Sequence, residues 1–237
     1  QMCIRDRIER APTGIKGFDE LIEGGLPRNT LILITGPCGT GKTIFGMNFL
    51  VGGAKLNEPG IFISLEEKQK PSFEAMKQFG WDLEELEKKN MLIVSEPELY
   101  DYDKLLTHIE DLAAKINAKR VVIDSGSFIG NFFKDKFKIR KAMIDLQKVL
   151  ERINCTGLLI NEISEGSSLL SSYGVEEFVA DGVIVLHMLK HSDSYHRAIA
   201  VRKLFATNHS LKIHPMRIVA NKGIVVYPNA KLFDSMP

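Results

Sequence analysis

The run Thr30–Thr35 (TLILIT) is almost wholly apolar or β-branched, and it leads directly into Gly36–Thr43 (GPCGTGKT) and then into a stretch, Lys42–Ala54, with helical character. A strand buried on both faces needs helices above and below it, so a strand, glycine-rich loop and helix in succession leave few architectures open. The loop also carries its own chemistry. It satisfies G-x-x-x-x-G-K-[ST]: Gly36 and Gly41 let backbone N–H groups curl round a phosphate, Lys42 reaches the terminal phosphates and the Thr43 hydroxyl holds magnesium. Pro37, Cys38, Gly39 and Thr40 make up the rest of the cradle, with Cys38 at a variable position.

The same alternation continues along the chain. Gly60–Leu65, Met91–Ser95, Arg120–Asp124 and Thr156–Asn161 are further short apolar runs rich in Ile, Val and Leu, read as strands buried on both faces. Between them the spacing predicts helices over Pro71–Phe79, Leu83–Lys88, Asp103–Asn117 and Ile139–Ile153; in the third, Leu105, Ile109, Leu112 and Ile116 form one apolar face. Strands alternating with helices imply a mostly parallel sheet with right-handed crossovers. After residue 180 the runs GVIVLHML, YHRAIAVRKL, KIHPMRIVA and GIVVYP follow one another with no room for crossover helices. They predict an antiparallel extension of the sheet. The fold class is therefore α/β. No linker or internal repeat divides the chain, so residues 8–237 read as one domain. The first seven residues, QMCIRDR, match nothing that follows and read as a non-native scar or a disordered segment.

Composition narrows the function. With 31 basic and 30 acidic side chains the net charge is +1, so nucleic-acid binding is possible but not indicated by charge. Three widely spaced cysteines suit a reducing compartment better than a disulfide framework, and no apolar run is long enough to span a bilayer, so the expected location is the cytoplasm with no membrane contact.

Hydrolysis of a bound triphosphate needs a second magnesium contact and a base that orients water. Asp124 ends an apolar run, where a carboxylate emerges at the carboxyl edge of the sheet beside the phosphate loop. It is the candidate second contact, acting through water. Glu66 and Glu67 end the next strand in SLEE, and they are the catalytic candidates: Glu66 to polarise a water and Glu67 to hold or tune it. In an extended strand two neighbours point to opposite sides, so both can serve only if the strand ends there.

The stretches PTGIKGFDELIEGGLPRNTLILITGPCGTGKT, SLEE, FGWDL, RVVIDS, YGVEEFVADGVIVL, RKLFATNHS and GIVVYP together resemble the RecA-fold P-loop ATPases of the KaiC type, from about Arg10 to Pro228. That resemblance implies a RecA-like core, ATP and Mg2+ as ligands, and homo-oligomeric rings, commonly hexameric, with nucleotide held between neighbours. It carries the family's phosphate loop onto Gly36–Thr43, its paired catalytic glutamates onto Glu66 and Glu67, its Walker B aspartate onto Asp124 and its strand-end sensor region onto Glu162. RKLFATNHS stands where the family has Lys-Met-Arg-Gly-Thr-x-His, so Lys203 and His209 are expected to reach a neighbour's nucleotide. Phe205, however, replaces the arginine and Ala206 the glycine. Along an unbroken strand Lys203, Phe205 and Thr207 share one face and Arg202 points to the other, so Arg202 is not expected to substitute. A slow ATPase with a nucleotide-gated regulatory or assembly role, with a protein partner, follows; an ATP-driven single-stranded nucleic-acid-binding protein of the recombinase type is the alternative. The family's clock protein carries two such domains and a Ser-Thr phosphorylation pair where Glu177 and Phe178 stand, which argues against a clock autokinase here.

Two other clusters are weaker. His187, His191 and His196 lack the spacing of a metal site. Asn131–Lys141 interleaves three phenylalanines with five basic residues, compatible with stacking on a single strand but also with packing on the core.

Overall fold

The structure, a computed structural model, describes residues 8–65, 73–97, 101–167 and 169–233, with Phe73 and Asn131 described by their backbone alone. A short antiparallel pair, β1 (Arg10–Ala11) with β2 (Leu26–Pro27), precedes the main sheet. The parallel strands are β3 (Leu31–Gly36), β4 (Gly60–Ser64), β5 (Leu92–Ser95), β6 (Arg120–Asp124), β7 (Thr156–Glu162) and the first half of β8 (Gly182–His191). Strands β9 (Ser194–Leu204), β10 (Ile213–Val219) and β11 (Gly223–Val226) follow antiparallel, giving the order β11-β10-β9-β8-β3-β7-β6-β4-β5 among the described residues. The expected parallel core and antiparallel extension are both present.

The helices are α1 (Lys42–Ala54), α2 (Phe73–Lys77), α3 (Leu83–Lys88), α4 (Tyr102–Ile116), α5 (Ile129–Phe132), α6 (Lys136–Arg152) and α7 (Glu176–Val179). Aspartates start three of them by accepting backbone N–H bonds: Asp82 from Glu85, Asp101 from Asp103, and Asp135 from Phe137 and Lys138. Two apolar layers sandwich the sheet. On one side Ile32, Ile34, Val122 and Ile160 pack beneath Phe45 and Phe49 of α1; on the other Leu31, Leu33, Val121 and Leu159 pack beneath Ile109 of α4 and Met143 and Leu146 of α6. Every residue of β3 and β6 is buried, which is why these runs are continuous rather than alternating.

Topology decides what meets at the carboxyl rim. β3 lies beside β7, and β7 beside β6, with Gly36 level with Glu162 and Asp124 level with Ile160. The loop after β3 and the aspartate ending β6 are thus separated by one strand only.

One expectation fails in the extension. Strand β9 is not unbroken: Val183 pairs with Lys203 but Ile184 pairs with Val201, leaving Arg202 as a bulge, and the strand ends at Leu204 before a turn in which Ala206 has a φ of 47°. A bulged residue no longer alternates with its neighbour, and Arg202 and Lys203 are both exposed. The face-sharing that set Arg202 apart from Lys203 therefore does not hold.

Candidate active site

The phosphate loop is shaped by close approach. A Cβ on Gly36 would lie 2.2 Å from the Leu186 carbonyl oxygen of the adjacent strand, and Gly41, which opens α1, has a φ of 100°, a conformation side chains disfavour. Thr40 Oγ1 donates to Pro37 O at 2.9 Å and Lys42 Nζ donates to the same carbonyl at 2.8 Å, so the amine is curled over the loop. Lys42 is buried, and burial pulls its pKa down while Glu162, Asp124 and Cys38 oppose that shift. The site therefore keeps a cation in a place that disfavours charge unless an anion joins it.

Beside the amine, Thr43 Oγ1 donates to Asp124 Oδ2 at 2.7 Å, and Asp124 is itself buried. A hydroxyl and a buried carboxylate in contact next to a phosphate loop are a hard-oxygen pair of the kind magnesium takes. Together with the exposed Cys38, Gly39 and Glu162 and the buried Ser125 they line a cleft of about 400 Å³, a volume suited to a small ligand. The residues present thus fit Mg·ATP.

Glu66 and Glu67 lie outside the described residues. The chain enters that segment from Leu65, whose N–H donates to the backbone oxygen of Asp124 at 2.6 Å.

The structure adds a residue that motif reading passed over. Arg197, on β9 opposite Met188, donates from Nε to Gly39 O at 3.0 Å and lines the same cleft with Ile218 of β10. The signal was present in the hairpin: counting back from the turn between β8 and β9 sets Arg197 at the carboxyl rim.

Lys203, Phe205 and His209 lie at the other rim. Lys203 is level with Val183, and through it with Leu33, while its amine donates to Ala180 O at 2.5 Å and Glu177 O at 3.4 Å. Phe205 N donates to Asp181 O, whose own N–H meets Leu31 O, and Phe205 is 62% exposed. The ring of His209 contacts Ser210 O, and Ser210 N donates to Leu21 O. Leu33 to Gly36 spans three residue steps and Leu31 to Gly36 five, roughly 10 and 16 Å at strand rise, so Lys203 and Phe205 both stand back from the phosphate loop of their own chain. Thr207 is held by Arg10, whose Nη1 donates to its Oγ1 at 2.9 Å.

The weaker clusters resolve as packing. Phe132 and Phe133 form edge contacts with Tyr102, while Phe137 alone of the three is 76% exposed. His191 stacks on Phe233 at 4.2 Å and His196 meets the same ring edge-on, whereas His187 sits apart with a buried Nε2 that has no hydrogen-bond partner among the described residues. No helix among the described residues is long and apolar enough to cross a membrane.

Comparison with known proteins agrees with this geometry. The KaiC ATPase family model matches residues 11–231. A UPF0273 protein of Pyrococcus horikoshii is 35% identical, covering 94% of this chain and 96% of its own length. The circadian clock protein KaiC3 of Synechocystis is 34% identical over 94% of this chain but only 46% of its own length. Among solved structures, a KaiC-like protein from Pyrococcus horikoshii superposes with a TM-score of 0.84 and 41% identity, covering 93% of this chain and all of that one. A full-length match of this kind, on the same loop, sheet and extension, means that the chain belongs to the KaiC ATPase family.

Proposed function

We propose that this chain is an Mg·ATP-dependent ATPase that forms a ring, hexameric by preference, holds nucleotide between neighbouring copies, hydrolyses it slowly and uses the nucleotide state to gate assembly or a partner protein in the cytoplasm. The observation that carries the reading is the Thr43–Asp124 pair beside the buried Lys42 amine in a glycine-shaped cradle. Lys42 neutralises the terminal phosphates, and Arg197 is close enough to the loop to steady it or take a phosphate oxygen. Thr43 and Asp124 hold the metal, which when bound neutralises charge developing on the phosphates. Glu66 is the base that orients water, and Glu67 tunes it.

Lys203 and His209 act on a neighbour's nucleotide; for Lys203 this is supported by its place three strand steps back from its own phosphate loop. Slow turnover follows from Phe205, since an arginine on a transferring phosphate contributes about 10³–10⁵ in rate. Steady-state hydrolysis of the assembled protein tests this. Phe205→Arg should raise turnover in the oligomer and not in monomer, while Arg202→Ala should leave it unchanged. If Arg202→Ala instead abolishes hydrolysis, the bulged arginine has taken the missing role and the slow-ATPase reading fails.

A further inference from the structure

Helix α7 is a single turn, Glu176–Val179, closed by Phe178 N donating to Val175 O at 3.2 Å and Ala180 N donating to Glu176 O at 2.9 Å. So short a helix does not hold itself in place, because fixing the first turn is unfavourable on its own. Its position is set by what grips its two ends.

At its start the grip is a buried carboxylate that lies outside the phosphate cleft. Glu176 is 1% exposed. Its Oε1 accepts from Asn161 Nδ2 at 3.0 Å and its Oε2 from the Ser171 hydroxyl at 2.7 Å and Val175 N at 3.1 Å, while Tyr173 N lies 3.3 Å from both oxygens. Asn161 is the last residue but one of β7, and the Ser172 hydroxyl is shared between Asn161 Oδ1 at 2.5 Å and the backbone oxygen of Glu162 at 2.8 Å. Glu162 lines the phosphate cleft. Glu176 therefore pins α7 to the strand end beside the cleft.

At its end the turn holds a cation. The last carbonyls of a helix have no partner within it, and here two of them are taken by the Lys203 amine: Ala180 O at 2.5 Å and Glu177 O at 3.4 Å. An ammonium carries three N–H groups, so a third is left over. Lys203 stands on β9 at the end of a flexible four-carbon stem, and these carbonyls fix where its amine comes to rest.

We propose that Glu176 is a positioning residue for the ATPase reaction: by fixing α7 against β7 it sets the place of the Lys203 amine, whose third N–H is presented to the terminal phosphate held by a neighbouring copy. This rests on the role given to Lys203 above. Glu176 touches no nucleotide, and its whole effect passes through the turn. The negative charge matters because every group around the carboxylate is a donor, and a carboxamide would set its own N–H groups against some of them.

The first test reads the amine directly in the nucleotide-free full chain, by acetic anhydride labelling with Lys203 and the exposed Lys212 compared in one digest. An amine engaged by two carbonyls acylates slowly. Glu176→Gln should raise the Lys203 rate severalfold against Lys212, and Glu176→Gln with Asn161→Asp should bring it back, since the introduced carboxamide then donates to the introduced carboxylate while its oxygen keeps Ser171 and Val175. If Glu176→Gln does not fold, Ser171→Ala removes a single contact to the carboxylate and should move the same rate in the same direction. The second test is steady-state hydrolysis by the assembled protein, where Glu176→Gln should lower turnover by about tenfold and the paired substitution should restore it. In a Lys203→Met background Glu176→Gln should cost nothing further. The proposal is overturned if the Lys203 labelling rate does not respond to Glu176→Gln or Ser171→Ala, or if the turnover loss persists undiminished in Lys203→Met. Lys203→Met with unchanged turnover overturns instead the role of Lys203 at a neighbour's nucleotide, and the labelling then shows Glu176 holding an amine that has no part in the reaction.

Discussion

The two rims of the parallel sheet bury charge in opposite ways. At the carboxyl rim Lys42 and Asp124 are buried but line a cleft, where the Lys42 amine meets a loop carbonyl and Asp124 the Thr43 hydroxyl. At the amino rim Arg120 is fully buried and closed in. Its Nε donates to Glu58 Oε2 at 2.8 Å, its Nη1 donates to Pro12 O at 2.8 Å and to Phe49 O at 2.7 Å, and its guanidinium lies 4.4 Å from the centre of the Phe49 ring. Arg28 binds the other oxygen of Glu58. Charges whose partners all belong to the chain hold the fold together, whereas charges left facing a cleft are available to a ligand.

That contrast can be broken from either side. The largest effect is expected at the open rim, where Lys42→Ala should lower Mg·ATP affinity by about a hundredfold or more while the melting temperature of the nucleotide-free protein stays the same. Isothermal titration calorimetry measures the first and a thermal melt the second. Retained affinity would remove the assignment of the loop.

At the closed rim the expected pattern is reversed. Glu58→Gln removes the charge that pairs with a fully buried guanidinium, so it should cost about 3 kcal/mol of stability in a urea titration and leave nucleotide affinity alone. Burial works against the Glu58 carboxylate, but Arg28 and Arg120 hold its pKa below the ordinary value. The stability that Glu58 contributes is therefore present above the unfolded carboxyl pKa of about 4.3 and is lost as pH falls through the lower folded value. In Glu58→Gln that part of the acid sensitivity should disappear.

The smallest effect concerns His187, which lies on the antiparallel side. Burial first, then the charge of Arg202, pushes its pKa below the ordinary value, and its Nε2 has no partner among the described residues. The unfolded chain then binds the proton more readily, so this contribution is fully present above about 6.5 and is lost as pH falls through the lower folded value. His187→Gln should flatten the stability profile between pH 7 and pH 5 in comparison with the unsubstituted chain, and an identical profile would show that His187 protonates as freely folded as unfolded.

Much of the parallel half was legible because its signals are local. An apolar run, a strand-to-helix loop and a helix face are each read within a dozen residues, and Arg120–Asp124 and Lys42–Ala54 have the expected limits. The phosphate loop belongs to the same class, since its spacing is a property of one turn. Arg197 required one more step, the register of a hairpin, and it was missed because nothing near it in the chain marks it. The bulge at Arg202 was not read from the run of β9, whose residues 198–201 are continuously apolar and lead into Arg202 and Lys203; the slip is located only where the strand pairs with Val183 and Ile184 of β8.

The sequence by itself determined that this is an α/β chain with a phosphate loop, because strand, loop and helix propensities and the motif act over short spans. Only the tertiary structure decided which residues share a rim. Strand order brings Thr43 to Asp124 across 81 positions, Arg197 to Gly39 across 158 and Arg120 to Glu58 across 62. Pairing at such separation depends on which strands become neighbours in the sheet, and no local pattern encodes that choice.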